Sequence, residues 1–173
     1  MRIFMTLAIV LSPILLIGCE QKTEVKAENL AIGDIGPEVV GVQYLQGPAV
    51  SWDSNHSAYL IEFWATWCAP CKDSAPVLSA YQEQYADRGL LVAGLSDEEE
   101  SMVKPYLGEY GHDMSYTIGL DPDGAIQKKF IEGIGESGIP WAFLLDADGT
   151  LLWVGHPMAP ELGEELEKLL PAV

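Results

Sequence analysis

The stretch that most constrains this chain is AYLIEFWATWCAPC, residues 58–71, where an apolar run ends at two cysteines spaced C-x-x-C. The run AYLIEFWA, residues 58–65, has the length and the aromatic content of a buried strand. A helical pattern then predicts a helix from Cys68 to Arg88, with Gly89 as its natural end and one apolar face made of Val77, Leu78, Tyr81 and Tyr85. Both thiols would therefore lie at a helix N-terminus, where free backbone N–H groups and the helix dipole stabilise a thiolate.

Cys68 and Cys71 can close a disulfide within one helical turn. A zinc site would need two more ligands, and only His56, His112 and His156 are available, with no second C-x-x-C. A purely structural disulfide is a second alternative, but so small a loop stabilises a fold little. The pattern favours a redox-active pair.

The remaining chain alternates strands and helices without an internal repeat. The further predicted strands are 89–96, 114–120, 141–147 and 150–155, and the further helices follow Ser96, span Ala125–Phe130 and span Pro160–Leu170. Ser96 with Glu99 is typical of a capping box, Pro105 predicts that this helix is kinked or starts late, and DADG at 146–149 predicts a hairpin turn. We expect a mixed sheet with helices on both faces and a short N-terminal β-hairpin at its edge, within 32–57.

The N-terminus, MRIFMTLAIVLSPILLIGC, is apolar but short for a membrane-spanning helix, and it resembles a lipoprotein signal that ends in a lipidated cysteine. We expect residues 1–18 to be a signal peptide, 19–31 to be lipidated Cys19 and a flexible tether, and 32–173 to form the domain. The alternative is an uncleaved anchor helix. Glu20, in place of an aspartate, makes the outer membrane an option.

The charge balance restricts the partners. Nine Lys and Arg against 26 Asp and Glu give a formal net charge of −17, which repels phosphate backbones and anionic lipids. We expect no nucleic-acid partner and a monomer.

At FWATWCAPC, and again at GIPWAFLLDADGTLLWVG (138–155), the chain resembles the TlpA/ResA-like thiol-disulfide oxidoreductases of the bacterial envelope, which have the thioredoxin fold. The resemblance implies that Cys68 is the exposed nucleophile and Cys71 the buried resolving thiol. It also implies a cis-proline at Pro140, against which a substrate segment could pair. The implied substrate contacts are Trp67, Ala69, Pro70 and Ile139, although Trp67 could equally shield the disulfide.

The implied function is reduction of protein disulfides on the periplasmic side of the envelope, with a membrane reductase as electron donor and no cofactor beyond the Cys68–Cys71 disulfide. Clients would include apocytochrome c thiols, in cytochrome c maturation. One alternative is a peroxiredoxin-like peroxidase, for which Thr66 stands one residue too close to Cys68 and Arg88 would have to hold the peroxide. Another is a copper chaperone, for which His156 and Met158 are weak candidate ligands.

Glu62 is the unexpected residue of the strand, because an unpaired buried charge is costly. Many relatives have Asn there and an acid three residues after the second cysteine, where this chain has Ser74, whereas thioredoxin itself carries an acid at the position of Glu62. Spacing and strand direction predict that Glu62 lies beneath the helix, accepts the Cys71 proton and has a raised pKa. The alternatives are an ordinary buried pair with a lysine or an exposed sheet edge.

Overall fold

The computed structural model describes residues 29–52 and 55–172. The predicted signal peptide, Cys19, Glu20 and most of the tether lie outside the described residues. The folded part begins slightly before residue 32, because Leu30 packs on the core and its N–H donates to the carbonyl of Gly133 at 2.6 Å. None of the helices in the described ranges is long and apolar enough to cross a membrane.

A six-stranded mixed sheet forms the centre of the fold, with the order β1-β4-β3-β2-β5-β6. Its strands are β1 (Gln43–Gln46), β2 (Ala58–Phe63), β3 (Leu90–Ser96), β4 (Thr117–Leu120), β5 (Trp141–Asp146) and β6 (Leu151–Gly155). Strands β2, β3 and β4 are parallel, and β1, β5 and β6 each pair antiparallel to a neighbour. The strand that leads to the cysteines, β2, is central and buried along its whole length.

Helices cover both faces of the sheet, as the sequence predicted. They are α1 (Ala69–Tyr85), α2 (Glu100–Tyr110), α3 (Ala125–Gly133) and α4 (Pro160–Leu169). The first, second and fourth contribute to one core cluster, whereas α3 packs into the cluster on the opposite face. A 3-10 turn at Ala86–Arg88 continues α1 as far as Gly89, whose φ of 91° closes the helix at the residue that the sequence indicated.

The predicted N-terminal β-hairpin is wrong in its pairing. Among the described residues before β2, one strand forms, β1, and it pairs antiparallel to the distant β4. Ile35 makes a separate bridge to Thr150, near the opposite edge of the sheet. The segment therefore uses long-range partners at both edges instead of folding back on itself, which a Gly- and Pro-rich sequence without strand alternation does not reveal.

Two local predictions near the ends of strands have different outcomes. The DADG turn is confirmed: Gly149 has a φ of 81°, and the Asp146 carboxylate accepts from the N–H groups of Asp148 and Thr150. The capping box is wrong, because Ser96 is the last residue of β3 and α2 starts at Glu100 without a side-chain cap from Glu99. Pro105 lies inside α2, which does not start late.

Candidate active site

Cys68 and Cys71 form a disulfide at the N-terminus of α1. Cys68 is the N-cap residue, the two Cα atoms are 5.3 Å apart, and the N–H of Cys71 donates to Cys68 Sγ at 3.3 Å. This backbone N–H is one of those that the first helical turn cannot pair internally. A thiolate at Cys68 would therefore meet a donor and the positive end of the helix dipole.

The disulfide is buried within an exposed rim. Cys68 is 3% exposed and Cys71 4% exposed, so the expected exposure of Cys68 is wrong for the oxidised protein. The neighbours of Cys68 are exposed instead: Trp67 shows 72% of its surface, and Ala69 and Pro70 are also accessible. Most of the Trp67 side chain is therefore open to solvent beside Cys68.

Ile139 and Pro140 lie beside this rim. Their peptide bond is cis, as the resemblance implied. Trp141 pairs with Phe63 at the end of β2, so the two residues before Trp141 lie next to the loop that carries Cys68. Ile139 is half-buried and Pro140 is buried. The pairing of β5 with β2 thus places Ile139 and Pro140 near the loop that leads to Cys68.

Glu62 lies in the middle of β2 and is 1% exposed. Neither carboxylate oxygen has a hydrogen-bond partner among the described residues. Its neighbours on the flanking strands are small, Gly94 on one side and Ala142 on the other. Burial raises the pKa of Glu62 from 4.5 to about 8. A central strand and an unpartnered carboxylate rule out both the sheet edge and the ordinary lysine pair.

The surroundings of Glu62 face the disulfide helix. Leu60 and Trp64, which share its side of β2, belong to the same core cluster as Cys71. A Cβ on Gly94 would lie 3.0 to 3.1 Å from ring atoms of Tyr116 and Trp64, so these rings close the space next to Glu62. Burial, with a smaller contribution from the Glu62 charge, raises the pKa of Tyr116 well above 10. The buried Trp64 Nε1 also has no hydrogen-bond partner in the part of the chain that the structure describes.

Two residues of α1 take structural positions near the thiols. Ser74, at the position where many relatives carry an acid, is buried and donates from its hydroxyl to the Cys71 carbonyl at 2.9 Å. Lys72 Nζ lies 5.3 Å and 5.0 Å from the ring centroids of Tyr106 and Tyr110 on α2. Its charge is therefore held against aromatic rings in cation–π contacts.

Sequence reasoning missed Glu98, whose carboxylate bonds to Thr66 two residues before Cys68. The sequence did carry a signal for this contact. Glu98 comes just after β3 and Thr66 just after β2, and neighbouring parallel strands end at the same edge of a sheet.

The sequence model of the AhpC/TSA family matches residues 33–154. The chain belongs to the AhpC/TSA family. Among curated proteins, this family member is 29% identical to the thiol-disulfide oxidoreductase ResA of Bacillus thuringiensis, over 84% of this chain and 83% of ResA. It is 36% identical to the thiol:disulfide interchange protein CycY of Rhizobium leguminosarum, over 66% of this chain and 57% of CycY.

A comparison with solved structures finds the same class of protein. A candidate thiol:disulfide interchange protein DsbE from Chlorobium tepidum matches with a TM-score of 0.63 and 27% identity, over 81% of this chain and 95% of that one. This AhpC/TSA-family chain is thus a thiol-disulfide oxidoreductase with the thioredoxin-like fold.

The structure argues against the peroxidase alternative. Arg88 follows the far end of α1, about 25 Å from the disulfide at 1.5 Å per helical residue. There it pairs with Glu167 at 3.3 Å and donates to the Leu170 carbonyl. It cannot hold a peroxide at Cys68.

The copper alternative has no support from His156, whose Nδ1 accepts from the N–H of Met158 at 3.2 Å within a turn. Over residues 29–52 and 55–172, no group of three or more His, Cys, Asp or Glu side chains is arranged to hold a metal ion.

Proposed function

We propose that this oxidoreductase reduces disulfides of envelope proteins, and that Cys68 is the nucleophile and Cys71 the resolving thiol. The Cys68 thiolate attacks one sulfur of the partner disulfide, which forms a mixed disulfide and releases one partner thiolate. The Cys71 thiolate then attacks Cys68 Sγ, which closes the Cys68–Cys71 disulfide and releases the second partner thiolate. Two electrons pass from the dithiol to the partner, and a donor dithiol must restore the reduced enzyme.

Glu62 is the proposed acceptor of the Cys71 proton in the second step. The single observation that carries this role is the buried carboxylate on the side of β2 that faces α1, which has no hydrogen-bond partner within residues 29–52 and 55–172. With its pKa raised to about 8, the ionised form of the group is a stronger base than an ordinary carboxylate, and it can take a thiol proton and return it later. A carboxyl with an ordinary pKa would be a poorer acceptor.

The rim around the disulfide is the proposed docking edge for the partner. Trp67, Ala69 and Pro70 offer exposed, largely apolar surface directly beside Cys68, and Ile139 borders it. An aromatic side chain that stays exposed next to a nucleophile is typical of a contact residue.

The place of action is a further proposal. Lipidation at Cys19 would tether the domain on the periplasmic side of the envelope, and Glu20 allows the outer membrane. The proposed electron donor is a membrane reductase, and the proposed clients are apocytochrome c thiols or other envelope disulfides. These assignments depend on the sequence resemblance and on the lipoprotein-like N-terminus.

Trapping of clients tests this function. In a Cys71→Ser variant the mixed disulfide at Cys68 cannot be resolved, so client proteins stay covalently attached and appear after non-reducing electrophoresis. We expect trapped envelope proteins with Cys71→Ser and none with the matched Cys68→Ser variant. The same pattern of attached proteins in both variants, or no attached protein in either, would contradict the proposal.

A further inference from the structure

The loop that carries the nucleophile is tied to the rest of the fold by one acidic side chain, Glu98. Glu98 follows β3, and its Oε2 accepts from the backbone N–H of Thr66 at 2.6 Å. Its Oε1 accepts from the Thr66 hydroxyl at 2.8 Å. The carboxylate thus receives two hydrogen bonds from one residue, 32 positions away in the sequence. Hydrogen bonds to an ionised acceptor are stronger than those between neutral groups.

Glu98 is itself held in place. Ser96, fully buried at the end of β3, lies with its Oγ 3.3 Å from Glu98 Oε2 and 3.3 Å from the Glu98 backbone nitrogen. The hydroxyl donates to the carboxylate and accepts from the N–H. The Glu98 side chain is therefore anchored on the sheet before it reaches Thr66.

The remaining backbone bonds of the loop show what Glu98 adds. Trp64 N–H donates to the Leu95 carbonyl at 3.1 Å, which continues the pairing of β2 with β3. Cys68 N–H donates to the Ala65 carbonyl at 3.0 Å, a bond internal to the loop. Between them, the Thr66 N–H depends on a side chain from the neighbouring loop. Without Glu98, Thr66 loses both of these hydrogen bonds to the β3–α2 loop.

We propose that Glu98 is a positioning residue for thiol-disulfide exchange. By holding Thr66 at both its N–H and its hydroxyl, it keeps Cys68 at the N-cap of α1, within reach of Cys71 and of a docked disulfide. This role rests on the proposed function of Cys68 as nucleophile. Misplacement of a reacting group by about 1 Å costs on the order of a hundredfold in rate, so loss of this anchor has a measurable effect.

The variants separate hydrogen bonding from charge. Glu98→Gln keeps both contacts, because its carbonyl oxygen accepts from the Thr66 N–H and its amide donates to the Thr66 hydroxyl. Glu98→Ala removes both. Thr66→Val removes the hydroxyl at nearly constant shape. Glu99→Ala is the matched control, since Glu99 is exposed, lies in the same loop and makes no capping bond to α2.

Two readouts are needed. The first is the equilibrium between the reduced protein and glutathione disulfide, which gives the protein disulfide and two glutathione molecules and depends on how well the two thiols are held together. The second is the single-turnover rate with a protein disulfide. We expect Glu98→Ala to lower both the equilibrium constant for disulfide formation and the single-turnover rate by about tenfold or more. For Glu98→Gln and Glu99→Ala, both quantities should stay within about threefold of wild type.

Coupling completes the test. Thr66→Val should have a smaller effect alone and add little in the Glu98→Ala background, because the bond it breaks is already lost. Wild-type values of both readouts in a folded Glu98→Ala protein would overturn the proposal, as would equal losses in the Gln and Ala variants. The glutathione equilibrium is measured without a client protein. It therefore still tests the role of Glu98 if the proposed reduction of client disulfides proves wrong.

Discussion

Two buried acidic side chains, Asp121 and Glu62, have opposite hydrogen-bonding environments in this fold. Asp121, after β4, is 6% exposed, and its Oδ2 accepts from the N–H groups of Ile126 and Gln127 at 2.8 and 2.9 Å. Glu62, in the middle of β2, has no hydrogen-bond partner among the described residues for either oxygen. Asp121 satisfies free N–H groups of α3, whereas Glu62 satisfies none of α1.

The difference separates an acid that caps a helix from the acid that is the proposed proton acceptor. The N–H groups at the start of α3 need an acceptor, and Asp121 supplies it, so its charge stabilises the fold. Burial of Glu62 without a donor disfavours its charged form instead and raises its pKa to about 8. A chain gains no stability from such a group, which points to a use in proton transfer next to Cys71.

The largest expected effect is that of Glu62 on the pH dependence of the free energy of unfolding. In the folded protein its pKa is about 8, against 4.5 as the ordinary value, so the folded state holds a proton that the unfolded state loses as the pH rises. Relative to Glu62→Gln, the wild type should lose about 1.4 kcal/mol per pH unit across this interval, on the order of 5 kcal/mol in total. Below the unfolded pKa this difference between the two proteins should be constant.

Urea unfolding of the two oxidised proteins at a series of pH values measures this effect. The comparison uses the change in the stability difference with pH, because a buried Gln amide has its own desolvation cost at every pH. A difference that stays flat from about pH 5 to about pH 9 would show that Glu62 is charged and satisfied in the folded protein.

A smaller effect is expected at Asp121. Asp121→Ala leaves the N–H groups of Ile126 and Gln127 without their acceptor, and should lower the free energy of unfolding by about 1 to 2 kcal/mol. Asp121→Asn retains an acceptor and should lose less. The same unfolding measurements at neutral pH check both variants. If the Ala and Asn variants were equally stable, the Asp121 carboxylate would not be capping α3. The structural role assigned to Asp121 in the comparison with Glu62 would then be wrong.

Much of the fold follows from local sequence signals. β2, α1 and the DADG turn lie within a few residues of their predicted limits, because apolar periodicity and Gly89 or Gly149 define them locally. The N-terminal segment was mispredicted since its partners, β4 and Thr150, are chosen by long-range pairing. No local pattern in residues 32–57 encodes those partners.

In the candidate site, too, local features could be predicted from the sequence and long-range contacts could not. The spacing of Cys68 and Cys71 and the acid inside an apolar strand made three residues visible in one stretch of sequence. Exposure was predicted less well, because burial of Cys68 in the oxidised protein depends on how the rim folds around it. Glu98 stayed hidden because its contact with Thr66 spans 32 positions.

The most direct test of the account is the pH dependence of the resolving step in wild type and Glu62→Gln. A mixed disulfide is preformed at Cys68 with a small thiol, and its release by Cys71 is followed in a single turnover. Glu62 accepts a proton only when ionised, so the wild-type rate should rise with pH up to about 8. Glu62→Gln should be slower by about a hundredfold there, and its rate should keep rising above pH 8 with ionisation of the Cys71 thiol itself, where the wild-type rate levels off. Matching rate profiles for the two proteins across this range would contradict the assignment of Glu62 as the proton acceptor.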